Sequence, residues 1–338
     1  MNKQPVTAAG FTARINDPAS FFRIRQHIPA LAREGIRVID YTEGGYKWYL
    51  PGILKAVPRL PQVIASRKAD IIWVSRSLIY GYETFERFLK RPRLLDADDA
   101  IWLDVPLGRF AIPRIARSMD AVIVGNKFLA DWFACYCRDI HVVPTAVDLS
   151  RYQKKPVSAS PKNKFVIGWT GLASNYSYLN QIERPLSRFL QDHSDAELLL
   201  IAEKKWNPPT IAPERIKFVP WSRETEAVAL HGASVGIMSL PDQLWSRGKC
   251  AFKMLQYMAV GLPVVVSPVG MNNEILQQGE VGLAADSENE WYEALDTLYK
   301  NTVLQSELGD NGRAVVEKYY SAEVISKKLA EIFRKYAG

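Results

Sequence analysis

Length, composition and charge narrow the class of protein before any motif is considered. The chain has 338 residues, of which 48% are hydrophobic and 23% charged. These values exclude a disordered chain and allow two domains, each with its own core. The formal net charge of +7 indicates an anionic partner. Nucleic acid, an anionic membrane surface and phosphorylated substrates all satisfy it.

The cysteines and the apolar runs predict a compartment. Three cysteines, of which Cys135 and Cys137 form a C-x-C pair, do not make a disulfide framework and indicate a reducing environment. The opening MNKQPVTAAG has no apolar core of a signal peptide. The run from Met258 to Met271 is shorter than the roughly 20 residues of a membrane span. We therefore expect a cytoplasmic protein, with peripheral attachment to the inner face of the cytoplasmic membrane as a variant of that prediction.

Short apolar runs alternate with amphipathic stretches along the whole chain, which predicts parallel sheets covered by helices on both faces. Residues 150–164 are rich in Ser, Pro and Lys and are typical of a linker. The pattern thus predicts an α/β protein of two doubly wound, Rossmann-like domains. We place them at 1–150 and 164–317, with a linker at 151–163 and a C-terminal helix at 318–338 that completes the first domain. Nine runs are predicted to be strands, at 36–39, 71–74, 121–124, 140–143, 165–169, 198–201, 216–219, 235–238 and 264–266.

The first predicted helix begins with Asp17 as N-cap and Pro18 at its first position. Arg23 and Arg25 lie in its opening turns, where the helix dipole disfavours a positive charge, so they suit an anionic ligand. Two solvated arginines are the alternative. Further on, residues 47–68 interleave basic residues with Trp, Tyr, Leu and Ile. Such a stretch predicts contact with an anionic membrane surface, or else a core helix with a basic outer face.

Carboxylates and an asparagine follow two of the apolar strands. Asp96, Asp98 and Asp99 come after an apolar strand and indicate a cleft. A metal site there lacks further ligands, so we predict no metal. Asn126 follows the strand at 121–124 and is expected to cap the next helix.

In the second half, the turn GWTGLASN after the strand at 165 resembles the phosphate-binding turn of nucleotide-binding domains. Gly171 allows close approach of a ligand, and Ser174 or Asn175 is expected to cap the following helix, whose amides would face an anion. A plain strand–helix turn is the alternative. Trp221, at the end of another strand, either stacks on a nucleobase or belongs to the core.

Residues 247–270 predict a helix, a Gly-Pro break and a buried strand. Lys249, Lys253 and Gln256 are spaced to share one helical face, and this basic face suits a diphosphate or is simply solvated. In the loop that follows, Gly270 with the amides ahead of the helix at Asn273 is suited to a sugar or phosphate. Glu274 is expected either to contact the ligand or to favour the N-terminus of its own helix.

Together these residues resemble a GT-B fold glycosyltransferase of family 4 (glycosyltransferase group 1). The strongest similarity lies in GWTG, KCAFKMLQYMAVGLPVVVSPVGMNNEI and GLAAD. The resemblance implies a nucleoside-diphosphate sugar bound by the C-terminal domain, an acceptor bound by the N-terminal domain, retention of configuration and no metal or other cofactor. It implies synthesis of a cell-surface polysaccharide, a lipopolysaccharide or another glycolipid.

Two departures from the family pattern affect the predicted roles. The Glu-x7-Glu motif falls on Gly248 and Gln256, so Gln256 is expected to bind the donor ribose through its amide. The basic residues that usually follow the glycine turn are missing between Gly171 and Asn180. We infer that Lys249 and Lys253, with Arg247 in support, stabilise the departing diphosphate instead.

The resemblance assigns the remaining candidates to the two substrates. The donor site is expected to contain Gly171, Ser174, Asn175, Trp221, Gln256, Gly270, Asn272, Asn273 and Glu274. Arg23, Arg25 and Asn126 are assigned to the acceptor, which Asp98 or Asp99 would orient. Three alternatives stay open: a nucleotide-sugar epimerase, a non-catalytic partner subunit that binds the sugar nucleotide, and nucleic-acid binding, for which no motif is found.

Overall fold

The computed structural model describes residues 5–43, 52–104, 107–156 and 163–338. The chain divides into two compact units. The first comprises 1–146, 247–250 and 321–338, and the second comprises 147–246 and 251–320. The main difference from the sequence-based domains, 1–150 and 164–317, is that residues 247–250 belong to the first unit and not to the second.

Each unit is built on a parallel sheet of six strands. The spatial order is β2-β1-β3-β4-β5-β6 in the first unit and β12-β11-β10-β7-β8-β9 in the second. The strands are β1 Val6–Thr12, β2 Ile36–Thr42, β3 Ile71–Ser75, β4 Arg93–Ala97, β5 Ala121–Val124, β6 Ile140–Val142, β7 Phe165–Thr170, β8 Ala196–Ala202, β9 Ile216–Pro220, β10 Val235–Met238, β11 Val264–Val266 and β12 Gly282–Ala284. All nine predicted strands are present, and the doubly wound α/β prediction is confirmed.

Helices connect the strands of both sheets. They are α1 Pro18–Arg23, α2 Ile28–Arg33, α3 Gly52–Ala56, α4 Leu60–Ser66, α5 Gly108–Ser118, α6 Lys127–Phe133, α7 Tyr176–Asn180, α8 Glu183–Asp192, α9 Glu226–Leu230, α10 Leu244–Arg247, α11 Phe252–Ala259, α12 Met271–Leu276, α13 Glu288–Lys300, α14 Thr302–Tyr319 and α15 Ala322–Ala337. None of the helices in the described ranges is long and apolar enough to cross a bilayer.

Alternate residues of the first sheet point to its two faces. On one face, Trp73 packs edge-on against Phe333 of α15, with ring centroids 5.0 Å apart, and α2 lies beside α15. On the other face, Ile72 and Val74 pack with Val63 of α4. The C-terminal helix therefore contributes to the core of the first unit.

The predicted helix after Asp17 is interrupted. Asp17 caps α1 as expected, and its carboxylate accepts from the amide of Ser20 at 2.7 Å. A 3₁₀ turn at 25–27 then separates α1 from α2. Pro29 has no amide hydrogen to continue the α-helical ladder through this point.

The segment predicted as a linker is part of the second unit where it is described. Tyr152 is buried, with 1% of its surface exposed, and its carbonyl accepts from Arg313 at 2.7 Å. The amide of Lys155 donates to the carbonyl of Val260 at 3.0 Å. Residues 157–162 of the predicted linker lie outside the described residues. The prediction relied on the Ser-, Pro- and Lys-rich composition and gave no weight to Tyr152, which is the aromatic residue that packs into the second unit.

Candidate functional site

In each unit, polar side chains collect at the carboxyl ends of the central strands, beside the point where the strand order reverses. In the first unit the order reverses between β1 and β3, and in the second between β7 and β10. Ligands of open α/β sheets bind at such points. The two groups of residues are described separately below.

In the first unit, the residues that directly follow β3 and β4 form an ion cluster. Arg76 lies 3.0 Å from the carboxylate of Asp98 and 3.3 Å from that of Asp99. Its φ of 62° is unusual for a residue with a side chain. Sequence reasoning missed Arg76, although inspection of the first two residues after each predicted strand would have found it.

The two aspartates of this cluster differ in acidity. Burial alone would raise the pKa of Asp98, but the guanidinium groups of Arg76 and Arg23 hold it below its usual range. Burial and the charge of Asp98 raise the pKa of Asp99 to about 6, against the attraction of Lys249 and Arg76. Near neutral pH, Asp99 therefore accepts a proton more readily than an ordinary aspartate.

Lys249 belongs to this cluster and not to a helix. Its ammonium lies 3.7 Å from the carboxylate of Asp99. The prediction that Lys249, Lys253 and Gln256 share one helical face is wrong, because α11 begins only at Phe252 and is preceded by Ala251 in the left-handed conformation, with φ 51°. Arg247, at the end of α10, lies in the same four-residue segment of the first unit as Lys249.

Close packing holds the segment 247–250 in the first unit. A Cβ atom on Gly248 would lie 2.8 Å from the Cβ of Ala100, and one on Gly125 would lie 2.0 Å from the Sγ of Cys250. The Cys250 thiol donates to the carbonyl of Asp98 at 2.8 Å. These approaches cannot be inferred from helical periodicity.

Asn126 has the predicted capping role and a second one. Its side-chain oxygen accepts from the amide of Leu129 at 2.9 Å. Its Nδ2 donates to the carbonyls of Arg247, at 3.2 Å, and of Lys249, at 3.1 Å. Asn126 is 2% exposed, so it positions the basic segment and does not itself present a polar atom to an acceptor.

The two arginines assigned to the acceptor are engaged within the protein. Arg23 forms a buried ion pair with Asp96 at 2.7 Å, and Asp96 lies inside β4 instead of after it as predicted. Arg25 pairs with Asp40 at 2.7 Å and donates to the carbonyls of Arg14 and Ile15. These contacts explain why cations are tolerated in the opening turns without an external anion.

In the second unit, Lys253 and Gly171 lie against each other at the end of β7. The ammonium of Lys253 lies 4.3 Å from the centroid of the Trp169 ring. A Cβ atom on Gly171 would be 2.6 Å from that ammonium. The absence of a side chain at Gly171 therefore leaves space for the ammonium of Lys253. The sequence predicted a close approach at this turn, but by a ligand and not by a side chain of the protein.

The predicted cap of the next helix is wrong. Neither Ser174 nor Asn175 makes a side-chain capping hydrogen bond, and α7 is only five residues long. Glu203 instead accepts from the amide of Ala173 at 2.8 Å. A carboxylate at this turn occupies the position where an anionic ligand was expected.

Gln256 does not present its side chain to solvent. It is 3% exposed, and its Nε2 donates to the hydroxyl of Tyr152 at 2.5 Å and to Glu226 at 3.0 Å. The predicted contact of its amide nitrogen with a ribose is thus replaced by internal hydrogen bonds. Sequence reasoning missed Glu226, since nothing in the local sequence marks it.

The loop after β11 approaches the same end of the sheet. Gly270, with φ 54°, precedes α12, which begins at Met271 and not at Asn273 as predicted. Asn272 is 1% exposed, donates to the carbonyl of Ser267 at 3.1 Å and leaves its Oδ1 without a partner. Glu274 lies in the first turn of α12, as the helix-dipole alternative expects.

Trp221 follows β9 and is 38% exposed. The alternative that it belongs to the core is therefore wrong. A cavity of about 920 Å³ lies elsewhere in this unit, beside β9, and is lined by Trp206, Ile211 and Phe218 among others. That cavity contains none of the predicted donor residues. Among the described residues, no group of three or more potential ligands could hold a metal ion.

Comparison with known proteins finds one family model that matches part of the chain. Residues 165–301 match the family model described as glycosyl transferases group 1. No curated protein matches the chain.

Similar solved structures cover nearly the whole chain. Sucrose-phosphate synthase from Thermosynechococcus elongatus has a TM-score of 0.73 at 16% identity, over 98% of each chain. HepE from Anabaena, solved with UDP and glucose, has a TM-score of 0.69 at 14% identity, over 98% of this chain and 100% of that one. A putative UDP-N-acetylglucosamine 2-epimerase from Listeria monocytogenes has a TM-score of 0.67 at 12% identity, over 98% and 96%.

At these identities the likeness shows the fold, which a sucrose-phosphate synthase and a putative epimerase share. The sequence-based resemblance and the fold prediction are confirmed. The chain has the GT-B fold, and its residues 165–301 match the model of the glycosyl transferases group 1 family.

Proposed function

We propose that the protein transfers a sugar from a nucleoside-diphosphate sugar to a hydroxyl of a glycan or glycolipid, with retention of configuration. The observation that carries this proposal is the ammonium of Lys253, held against Gly171 and Trp169 where β7 ends. A fixed cation at this point can stabilise the negative charge that accumulates on a departing diphosphate. The group 1 match over 165–301 supports the same reaction.

Further residues of the second unit suit the remainder of the donor. The exposed ring of Trp221 offers a surface for a nucleobase. Asn272 is 1% exposed, so its Oδ1, although it has no partner, is not assigned to a sugar hydroxyl. Because HepE was solved with UDP and glucose, UDP and UDP-glucose are the first donors to test.

The ion cluster of the first unit suits the acceptor. Asp99, whose pKa is raised to about 6, can accept a hydrogen bond from an acceptor hydroxyl, while Asp98 stays ionised between its arginines. In a front-face retaining reaction the leaving phosphate takes the acceptor proton, so no dedicated base is needed. Lys253 supplies the positive charge in this proposal, which invokes no metal.

The decisive experiment measures product from UDP-sugars with and without an acceptor. Wild-type protein is expected to bind UDP by calorimetry and to form a glycosylated product. Lys253→Ala should reduce transfer by about a hundredfold, whereas the exposed Lys217→Ala should leave it unchanged. Epimerised donor formed without acceptor would indicate an epimerase, and failure to bind any nucleoside diphosphate would indicate a non-catalytic subunit. Salt-dependent DNA or RNA binding in place of UDP binding would indicate the nucleic-acid alternative.

We further propose that the first unit binds an anionic membrane surface through one side of its sheet. The connections from β2 to β3, β4 and β5 step in one direction and therefore lie on the same face. They carry exposed apolar side chains: Leu54, Val57, Leu60, Ile64, Phe88, Leu103, Leu107 and Phe110. Residues 47–51 of the predicted membrane segment lie outside the described residues.

Basic residues accompany these apolar side chains. The helix α5 contacts the 3₁₀ turn at 86–88. Arg67, Arg87, Arg109 and Arg117 are exposed on or beside the same helices. An apolar surface bordered by cations suits the headgroup region of an anionic bilayer, where a lipid-linked acceptor would be found.

A further inference from the structure

Glu226 is a buried carboxylate with an unusually complete set of donors. It opens α9 and is 4% exposed. Its Oε2 accepts from the hydroxyl of Tyr152 at 2.6 Å and from the amide of Gln256 at 3.0 Å, and Arg151 lies 3.4 Å away. A buried carboxylate is costly unless it is paired in this way, so the arrangement is one that the fold must maintain.

The other oxygen of Glu226 contacts the residue that precedes the turn at Gly171. Its Oε1 accepts from the hydroxyl of Thr170 at 2.7 Å, and the amide of Thr170 donates to the hydroxyl of Tyr257 at 3.0 Å. Thr170 is the last residue of β7 and directly precedes Gly171. Tyr257 and Glu226 therefore hold the amide and the side-chain hydroxyl of Thr170, the residue from which the turn against Lys253 begins.

The chemistry of Gln256 is complementary to that of Glu226. The Tyr152 hydroxyl accepts from Gln256 and donates to Glu226. Burial and the Glu226 charge raise the pKa of Tyr152 well above its usual range, which keeps this donor protonated. A second carboxylate at position 256 would face Glu226 at hydrogen-bond distance with no proton between them.

We propose that Glu226 is a positioning residue for donor binding, acting through Thr170 on the turn at Gly171, and that Glu226 and Gln256 form a carboxylate–amide pair whose members can be exchanged. The proposal rests on the proposed function, because it concerns the same donor site. It explains why an amide stands at position 256 of this chain: the carboxylate of the pair is supplied from α9.

The test is an exchange of the two side chains, with UDP as the probe. Glu226→Gln and Gln256→Glu should each weaken UDP binding by about tenfold or more, measured by calorimetry on the folded protein. The double variant should recover most of the lost affinity, since the new amide at position 226 can accept from Thr170 and donate to the new carboxylate at position 256. The exposed Glu224→Gln and Gln191→Glu serve as matched controls and should bind as wild type.

A milder pair of variants tests the link to the turn without changing a charge. Thr170→Val removes the hydroxyl that donates to Glu226 and should weaken UDP binding, whereas Thr170→Ser keeps the hydroxyl and should bind as wild type. Melting temperatures are recorded for all variants. A purely structural role would lower the melting temperature and leave the UDP affinity of the folded protein unchanged, which would overturn the proposal.

The outcomes separate this inference from the proposed function. If wild type binds UDP and both single variants bind it equally well, Glu226 has no positioning role. A double variant that binds no better than the weaker single variant would overturn the exchange. If wild type binds none of UDP, GDP and ADP, the proposed function fails and this inference fails with it.

Discussion

At the scale of single residues, Gly171 makes the most specific prediction. Gly171→Ala would place a Cβ 2.6 Å from the ammonium of Lys253 and 2.8 Å from the Trp169 ring. The lysine can swing away but the ring is held in the core, so the cation should be displaced and UDP bound about tenfold more weakly. Calorimetry measures this change.

Gly279→Ala is the control for this substitution, because its nearest neighbour, a methyl of Val315, would be 3.5 Å from the new Cβ. Equal UDP affinity of wild type and Gly171→Ala, with equal melting temperatures, would show that the lysine does not need its place beside the turn.

The sequence predicts several site residues, but the local structure on which a prediction was based is not correct for all of them. Gly171 and Lys253 are both predicted from the sequence, and they lie together. Lys249 is predicted on the same helical face, but the left-handed Ala251 ends that continuity, and an alanine gives no signal of such a conformation. Arg76 and Glu226 reach their partners through contacts between residues distant in sequence, which periodicity does not reveal.

At the scale of elements, the packing of α15 makes stability depend on pH. His27, in the 3₁₀ turn before α2, is buried and lies 2.8 Å from the hydroxyl of Ser326 on α15. Burial and the charge of Arg23 lower the pKa of His27 from 6.5 to about 3. The imidazole is therefore neutral in the folded protein over most of the acidic range.

The direction of the effect follows from proton uptake. Above pH 6.5 His27 is neutral in both states, and as the pH falls the unfolded chain takes up a proton that the folded protein takes only near pH 3. The free energy of unfolding should decrease by about 1.4 kcal/mol per pH unit from this group below pH 6. Urea unfolding of wild type and His27→Gln between pH 7 and 5 measures it. The variant should lose less stability over this interval, and parallel curves would contradict the assignment.

The sequence predicts the presence of a strand or helix better than the residues at which it begins and ends. The nine apolar runs predicted as strands are strands because buried parallel sheets demand continuous apolar sequence. The interior strand β1 was not among them, since Ala8, Ala9 and Gly10 have weak strand propensity. A Cβ on Gly10 would make an ordinary van der Waals contact with Ile24, at 3.5 Å, so the space beyond it is limited and small residues suit the position.

At the scale of the whole molecule, charge and exposed apolar surface have a common interpretation. The net charge of +7 is by itself compatible with nucleic acid, a membrane or a phosphorylated substrate. In the second unit the exposed large apolar side chains, such as Leu172, Val228 and Val303, are distributed over unrelated elements. In the first unit they concentrate on the face that carries α4 and α5. This distribution favours the interpretation that some of the basic residues contact an anionic membrane.

The membrane proposal predicts binding to vesicles that contain phosphatidylglycerol and little binding to pure phosphatidylcholine. Ile64→Glu and Phe110→Glu, at positions 64% and 53% exposed, should each reduce cosedimentation, because each places a charge in the headgroup region. Val228→Glu is the matched control, since Val228 is 67% exposed in the second unit.

Replacing Arg109 and Arg117 with alanine should remove about 1 kcal/mol of binding free energy each, and raising the salt concentration should weaken binding further. Vesicle binding that is unchanged in Ile64→Glu and Phe110→Glu but lost at high salt would mean that the basic charge acts without this apolar face.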